Sequence, residues 1–310
     1  MSNLKIVVLI SFSFISSFLF AQEKEKIYNS IQLDTLTIFA ENEFDIKTFI
    51  HRIKDDTTFY QAFINLRYYP HKALGNLWVY NRREKEKAAE KISVIQHLNK
   101  SYMWQDRKTI SSSGKLRTKK GKYRFTTAEI YYDIFFPSDT IPVSTEITNV
   151  KEESVEKSKK SKYIHDLKLM MFNPGEDISG VPIVGKKMSI FDNDMVQYYD
   201  YKVSIITFNG MECYQFACVA KPEYKKYKTV IKYLTTVFHK ETMMVLNRQY
   251  SMRYKSILFQ FDVKINVRNE ISNGIITPLS ISYTGYWDIP FKTQEKIAFT
   301  IVNSDYTLKD

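Results

Sequence analysis

Cysteine is nearly missing from this chain: 310 residues contain two, Cys213 and Cys218, both inside NGMECYQFACVAKP. Two cysteines cannot staple so long a chain, so the core must come from side-chain burial. Asn209-Gly210 is a hairpin turn signal, which makes Met211 to Ala220 a strand. Residues five apart in a strand point to opposite faces and lie about 16 Å from one another. A disulfide needs Cα atoms within about 7 Å, so Cys213 and Cys218 are not expected to pair. A two-cysteine metal clip fails on the same geometry. Tyr214, Phe216 and Cys218 fall on the face expected to meet the core, and Cys213, Gln215 and Ala217 on the other.

Glycine (9) and proline (8) are also scarce, whereas Tyr (22) and Phe (21) are abundant. That balance excludes a loop-rich disulfide scaffold and suits long strands. Acids are outnumbered 34 to 45 by Lys and Arg, for a formal net charge of +11. Charge of this kind bears on association and solubility rather than on fold. No repeat of solenoid or propeller period is present.

Long apolar runs are missing after the first twenty residues. The opening MSNLKIVVLISFSFISSFLFAQ pairs one charge, Lys5, with an apolar run from Ile6 to Phe20 and the small Ala21. This is a signal-peptide pattern, shorter than the roughly 20 residues of a membrane-spanning helix. Residues 1–21 are expected to be removed in export, and no cysteine follows that could carry a lipid. The remainder, 22–310, is expected to form a single exported α+β domain, with 22–150 giving helices and the first strands and 151–310 a helix and a C-terminal antiparallel meander. The expected fold is a large curved antiparallel sheet, half-barrel-like, covered by a few amphipathic helices.

The periodicities behind that fold are local. Ile46, Phe49, Ile50 and Ile53 recur at helical spacing, as do Phe59, Ala62, Phe63 and Leu66 after an N-cap at Asp56 or Thr57, with Pro70 as the stop. LGNLWVYNR and EKISVIQHL read as strands around a charged turn, RREKEKAAE, and a further strand covers Tyr102 to Ile110. Thr126 and Glu129 have capping-box spacing before a helix that ends at Pro137. NVKEESVEKSKKSK, 149–162, reads as a polar loop, and Ile164, Leu167, Met170 and Met171 form a helical stripe ended by Asn173-Pro174-Gly175. In the last third, Phe259, Phe261, Val263, Ile265 and Val267 alternate with polar residues. Asn209-Gly210, Glu241-Thr242 and Asn273-Gly274 separate six or seven strands of a meander.

The chemical motifs weaken on inspection. GVPIVGKK, Gly180 to Lys187, matches the phosphate-loop pattern except at its end, where Lys187 replaces the hydroxyl that binds magnesium, and no helical pattern follows. Asp192, Asn193 and Asp194 begin like a calcium loop, but Val196 and Gln197 stand where a third ligand and a glycine belong. His51, His71, His97, His165 and His239 sit in separate elements without a metal or nucleophile-elbow motif. No catalytic residue, metal ligand, nucleotide or other cofactor is assigned, and no nucleic acid partner is expected. SSSGKLRTKKGKYR, 111–124, reads as a mobile positive loop. Its Lys115, Arg117, Lys119, Lys120, Lys122 and Arg124 are candidate contacts to an anionic surface, each worth about 1 kcal/mol near anionic lipid.

DTTFYQAFINLRYY (56–69), FNPGEDISGVPIVGKKMSIFD (172–192), NGMECYQF (209–216) and NRQYSMRYKSILFQFDVKINV (247–267) resemble a family of uncharacterised secreted proteins from Bacteroidota. The family brings no activity to carry over. The order of helix, strands, a mid-chain helical pair and a meander is similar to the outer-membrane lipoprotein carrier family. That resemblance implies a half-barrel sheltering acyl chains beneath helices. The expected function is therefore non-enzymatic: binding a lipid, acyl chain or other apolar ligand between sheet and helices, in the periplasm or at the outer membrane, with secretion as the alternative location. The alternatives are a cell-envelope hydrolase built from dispersed residues and an outer-membrane assembly or structural factor.

Overall fold

The computed structural model describes residues 53, 56–143, 185–224, 228–256, 260–288 and 294–308. Helix α1 (Thr58–Tyr68) buries Phe59, Ala62 and Phe63, the spaced apolar residues of its sequence. The Asp56 carboxylate accepts from the Thr58 N–H at 2.9 Å, which satisfies one of the helix's orphan donors. Tyr69 is extended, as a residue before proline prefers.

Three long strands follow: β1 (His71–Tyr80), β2 (Glu86–Leu98) and β3 (Tyr102–Gly114). Helix α2 (Thr126–Phe135) and the two-residue β4 (Ile141–Pro142) come next. The second half supplies β5 (Tyr199–Phe208), β6 (Met211–Ala220), β7 (Ile231–His239), β8 (Val245–Lys255), β9 (Gln260–Ser272), β10 (Ile275–Asp288) and β11 (Glu295–Ser304). All eleven form one antiparallel sheet in the order β4-β3-β2-β1-β11-β10-β9-β8-β7-β6-β5. Two meanders are thus joined where the first strand pairs with the last, Leu77 opposite Phe299. The expected open, curved antiparallel α+β sheet is observed.

The turns obey local chemistry. Asn209 and Gly210 have φ of 51° and 78°, and Asn273 and Gly274 have 51° and 74°, the positive pair that a type I′ hairpin demands. The alternation of β9 buries Phe261, Val263, Ile265 and Val267 on one face.

Three expectations need correction. The turn between β1 and β2 is short, because Asn81 Oδ1 accepts the N–H groups of Arg83 (2.8 Å) and Lys85 (3.1 Å); EKAAE belongs to β2, with Ala88 buried. Residues 111–124 are not a structureless loop. Ser111 to Gly114 complete β3, and the rest is a small hairpin in which Arg117 bridges Tyr123 and Leu116 is buried. The capping box of α2 is not used: no side chain of its own segment caps it, and a carboxylate from another strand does so, as described below.

Cys213 and Cys218 are free and buried on opposite faces. Cys218 packs in the main core with Phe216, and Cys213 in a second cluster with Ile206, Phe208, Val237 and Leu246. The outer-face cysteine is therefore as fully covered as the inner one. The apolar stripe Ile164 to Met171, the loop 149–162, the helix up to residue 52 and the first five residues of GVPIVGKK lie outside the described residues. Gly185–Met188 form a single 3-10 turn, and Asp192 precedes the one-turn helix Asn193–Val196.

Candidate binding site between the sheet and its covering helix

Strand register lines up one row of inward side chains across the sheet. It runs from Glu90 on β2 through Leu77, Phe299, Tyr283, Ile265, Tyr250, Leu234 and Cys218 to Tyr201 on β5. Directly opposite residues share a face, so this row fixes which side chains meet the covering helices. All but one of its members are apolar or aromatic, and the exception is Glu90.

Over the middle of the row, α2 leaves a narrow apolar crevice of about 20 Å³. Its roof is Ile130, Tyr131, Ile134 and Phe135 of α2, and its floor includes Met252, Val263, Ile265, Tyr283, Trp287 and Phe299. The floor is braced by ring contacts: Tyr283 stacks on Phe299 with centroids 4.8 Å apart, and Trp287 on Phe261 at 5.0 Å. Tyr131 hangs from the roof with its hydroxyl against Gly75, where a Cβ would stand only 2.6 Å from that oxygen. The hydroxyl has no hydrogen-bond partner among the described residues. Leaving such a group buried and unpaired costs about 1–3 kcal/mol, and burial pushes its pKa well up.

What fastens the covering elements is polar, and it comes mainly from charges on the inner face. Glu295, first residue of β11, accepts the N–H groups of Thr126 (2.7 Å) and Thr127 (2.8 Å) at the start of α2. A carboxylate there satisfies two orphan donors and meets the positive end of the helix dipole. Glu90 takes both arms of Arg117 at 2.6 and 2.8 Å, and the Tyr132 hydroxyl of α2 also donates to it. Arg117 lies over the rings of Tyr123 (4.7 Å) and Tyr132 (5.3 Å). Burial pushes Glu90 up, but the bonds from Arg117 and Tyr132 and the charges of Arg117 and Arg107 outweigh it and hold the carboxyl below its usual value. Arg248 on β8 reaches Asp56 at 3.2 Å, with both side chains buried, and lies 4.3 Å over the Phe59 ring. It ties the start of α1 to the sheet. At the far end of α2, Arg107 and Gln105 of β3 donate to the carbonyls of Phe136 and Phe135, each at 3.1 Å.

The six basic residues of 115–124 divide. Lys115, Lys119, Lys120, Lys122 and Arg124 are exposed, whereas Arg117 is turned onto Glu90. The sequence reading missed Glu90, Arg248 and Glu295. Each carries a signal in strand parity: Glu90 shares its face with Ala88, Ile92 and Val94, Arg248 with Tyr250 and Met252, and Glu295 with Ile297 and Phe299. A charge on the apolar parity of a strand requires a partner from across the core.

Of the histidines, His97 meets Asp106 at 2.8 Å and stacks on Trp104. Among the described residues no hydroxyl or thiol joins that pair, and no group of three or more His, Cys, Asp or Glu could hold a metal ion. His71 is buried, its Nδ1–H donating to the Tyr69 carbonyl at 2.9 Å. No described helix is long and apolar enough to cross a membrane.

Fold and site together define an open antiparallel sheet with a helix-covered apolar inner face. No family model matches the chain, and no curated protein is found similar to it. Among solved structures, a DUF1329 family protein from Desulfovibrio piger is 15% identical over 82% of this chain and 94% of that one, with a TM-score of 0.24. A structure described as an outer membrane lipoprotein-sorting protein domain, from Vibrio parahaemolyticus, is 8% identical over 83% and 95%, with a TM-score of 0.26. Likenesses of this size carry no argument about what the chain does.

Proposed function

We propose that the chain is an exported binding protein that takes an acyl chain or similar apolar ligand into the space between the inner sheet face and α2. The supporting observation is the division of labour at that helix. Its middle faces the sheet across an apolar crevice, while its polar attachments lie at its ends and rim, at Glu295, Glu90, Arg107 and Gln105. Apolar clefts that orient a ligand with few polar groups are the common form of a small-molecule site. The exposed cations Lys115, Lys119, Lys120, Lys122 and Arg124 would approach the anionic envelope surface beside it.

The experiment is extraction of the purified protein with organic solvent, mass spectrometry of the extract, and titration of the stripped protein with a fluorescent fatty acid. Retained lipid and micromolar binding that Ile134→Phe, an apolar substitution that fills the crevice, weakens at least tenfold are the expected result. A protein that carries no lipid and leaves the probe unbound would sink the proposal.

A further inference from the structure

Strand β3 is paired with β2 from Met103 to Gly114. On its other side, among the described residues, only Tyr102 and Met103 have partners, in the two-residue β4. From Asp106 to Gly114 every residue is exposed on both faces of the sheet. The opposite edge of the sheet is different: β5 alternates buried and open positions, and Tyr201 is fastened to the Ile190 carbonyl. An edge strand offers a row of unpaired backbone N–H and C=O groups, and proteins ordinarily keep such edges short or covered. Among the described residues this edge is long and bare. Ile110 bulges out of register with β2, dividing the edge into Asp106–Thr109 and Ser111–Gly114. The three serines after the bulge put little bulk in front of the backbone.

The surroundings select the partner. Arg107 and Lys108 lie on the strand, and Lys115 follows directly, with Lys119, Lys120, Lys122 and Arg124 in the hairpin beyond. The one acid on the edge, Asp106, already holds His97. A second copy would bring two chains of formal charge +11 edge to edge, with like charges crowded across the new ladder.

We propose that the free edge of β3 receives an extended, acidic segment of a partner protein as an added strand. Main-chain hydrogen bonds along Asp106 to Gly114 supply the attachment, and side chains of alternating acidic residues meet Lys108 and Lys115, the mode known as β-augmentation. The proposal does not depend on an apolar ligand in the crevice.

A synthetic peptide of about ten residues alternating Thr and Glu, long enough for one strand, tests it. Binding is followed by fluorescence anisotropy and by amide hydrogen exchange of the whole protein. The expected result is slowed exchange confined to β3 and the loss of at least tenfold in affinity when alternate peptide amides are N-methylated, since methylation keeps the charge and removes the donors. Lys108→Glu should weaken binding severalfold without changing the unfolding midpoint. Equal affinity for the methylated peptide, or binding without protection of β3, would overturn the proposal in favour of simple polyanion attraction. Binding to anionic vesicles with none to the peptide would overturn it as well.

Discussion

The indole Nε1 of Trp287 donates to the hydroxyl of Tyr283 at 2.7 Å, and the two residues close over Gly285 between them on β10. A Cβ at Gly285 would lie 2.0 Å from that hydroxyl oxygen, so the tyrosine ring occupies the space a side chain would need. Gly285→Ala is expected to drive Tyr283 off Phe299 and to cost about 3 kcal/mol, the overpacking range plus a lost buried hydrogen bond. Equilibrium urea unfolding followed by tryptophan fluorescence measures it. An unchanged midpoint would show that Tyr283 can move aside freely.

Acid should loosen the junction between α1 and β1. Burial lowers the pKa of His71 from 6.5 to about 4, against a smaller opposing effect of its bond to Tyr69, and the ring stacks on Tyr306 at 4.7 Å. A folded pKa below the unfolded one means that the contribution is complete above pH 6.5 and is lost as pH falls toward 4. The full loss is roughly 3 kcal/mol. Unfolding midpoints between pH 7 and 4 should fall more steeply in the protein than in His71→Phe. Parallel curves would remove His71 as the cause.

The Glu90 and Arg117 pair should be worth more intact than halved. Arg117→Met leaves a buried carboxylate with only the Tyr132 hydroxyl, and removal of one partner of a buried pair costs about 3–5 kcal/mol. Adding Glu90→Gln should recover part of that loss, because the residual group is neutral. Chemical unfolding of the single and double variants decides between this and simple additivity, which would mean that the two residues act independently.

Neither thiol should react in the folded protein. Burial raises the pKa of Cys218, and more weakly that of Cys213, and only the thiolate is nucleophilic. A colourimetric thiol reagent should find no free thiol in buffer and both in denaturant, with the same outcome after exposure to oxidant. Prompt reaction of either one in buffer would contradict the packing described for it.

The C-terminal meander was legible because each of its signals is local. An Asn-Gly pair sets a turn, and Phe261, Val263, Ile265 and Val267 set a face, with no knowledge of what lies across from them. The site was not legible in the same way. Nothing near Thr126 in sequence says that its N–H will be met by Glu295, and the nearby Glu129, which has the right spacing, is passed over. Arg117 looked like its five basic neighbours in composition, and only the position of Glu90 on the far strand separates it from them. The pairing of β1 with β11 was equally hidden, since two strands of matching polarity pattern can pair with any others until topology decides.

That last pairing has a consequence for how the chain is made. Lys72 lies opposite Ser304, so the N-terminal strands acquire their neighbour only when all the strands between have been synthesised. Contacts so distant in sequence slow folding, because the closure entropy of the whole intervening chain is met before they form. Until β11 arrives, β1 is a raw edge, and a truncation just before Glu295, which removes the whole of β11, would leave two separate sheets in place of one. The molecule therefore completes its sheet only once β11 is in reach of β1.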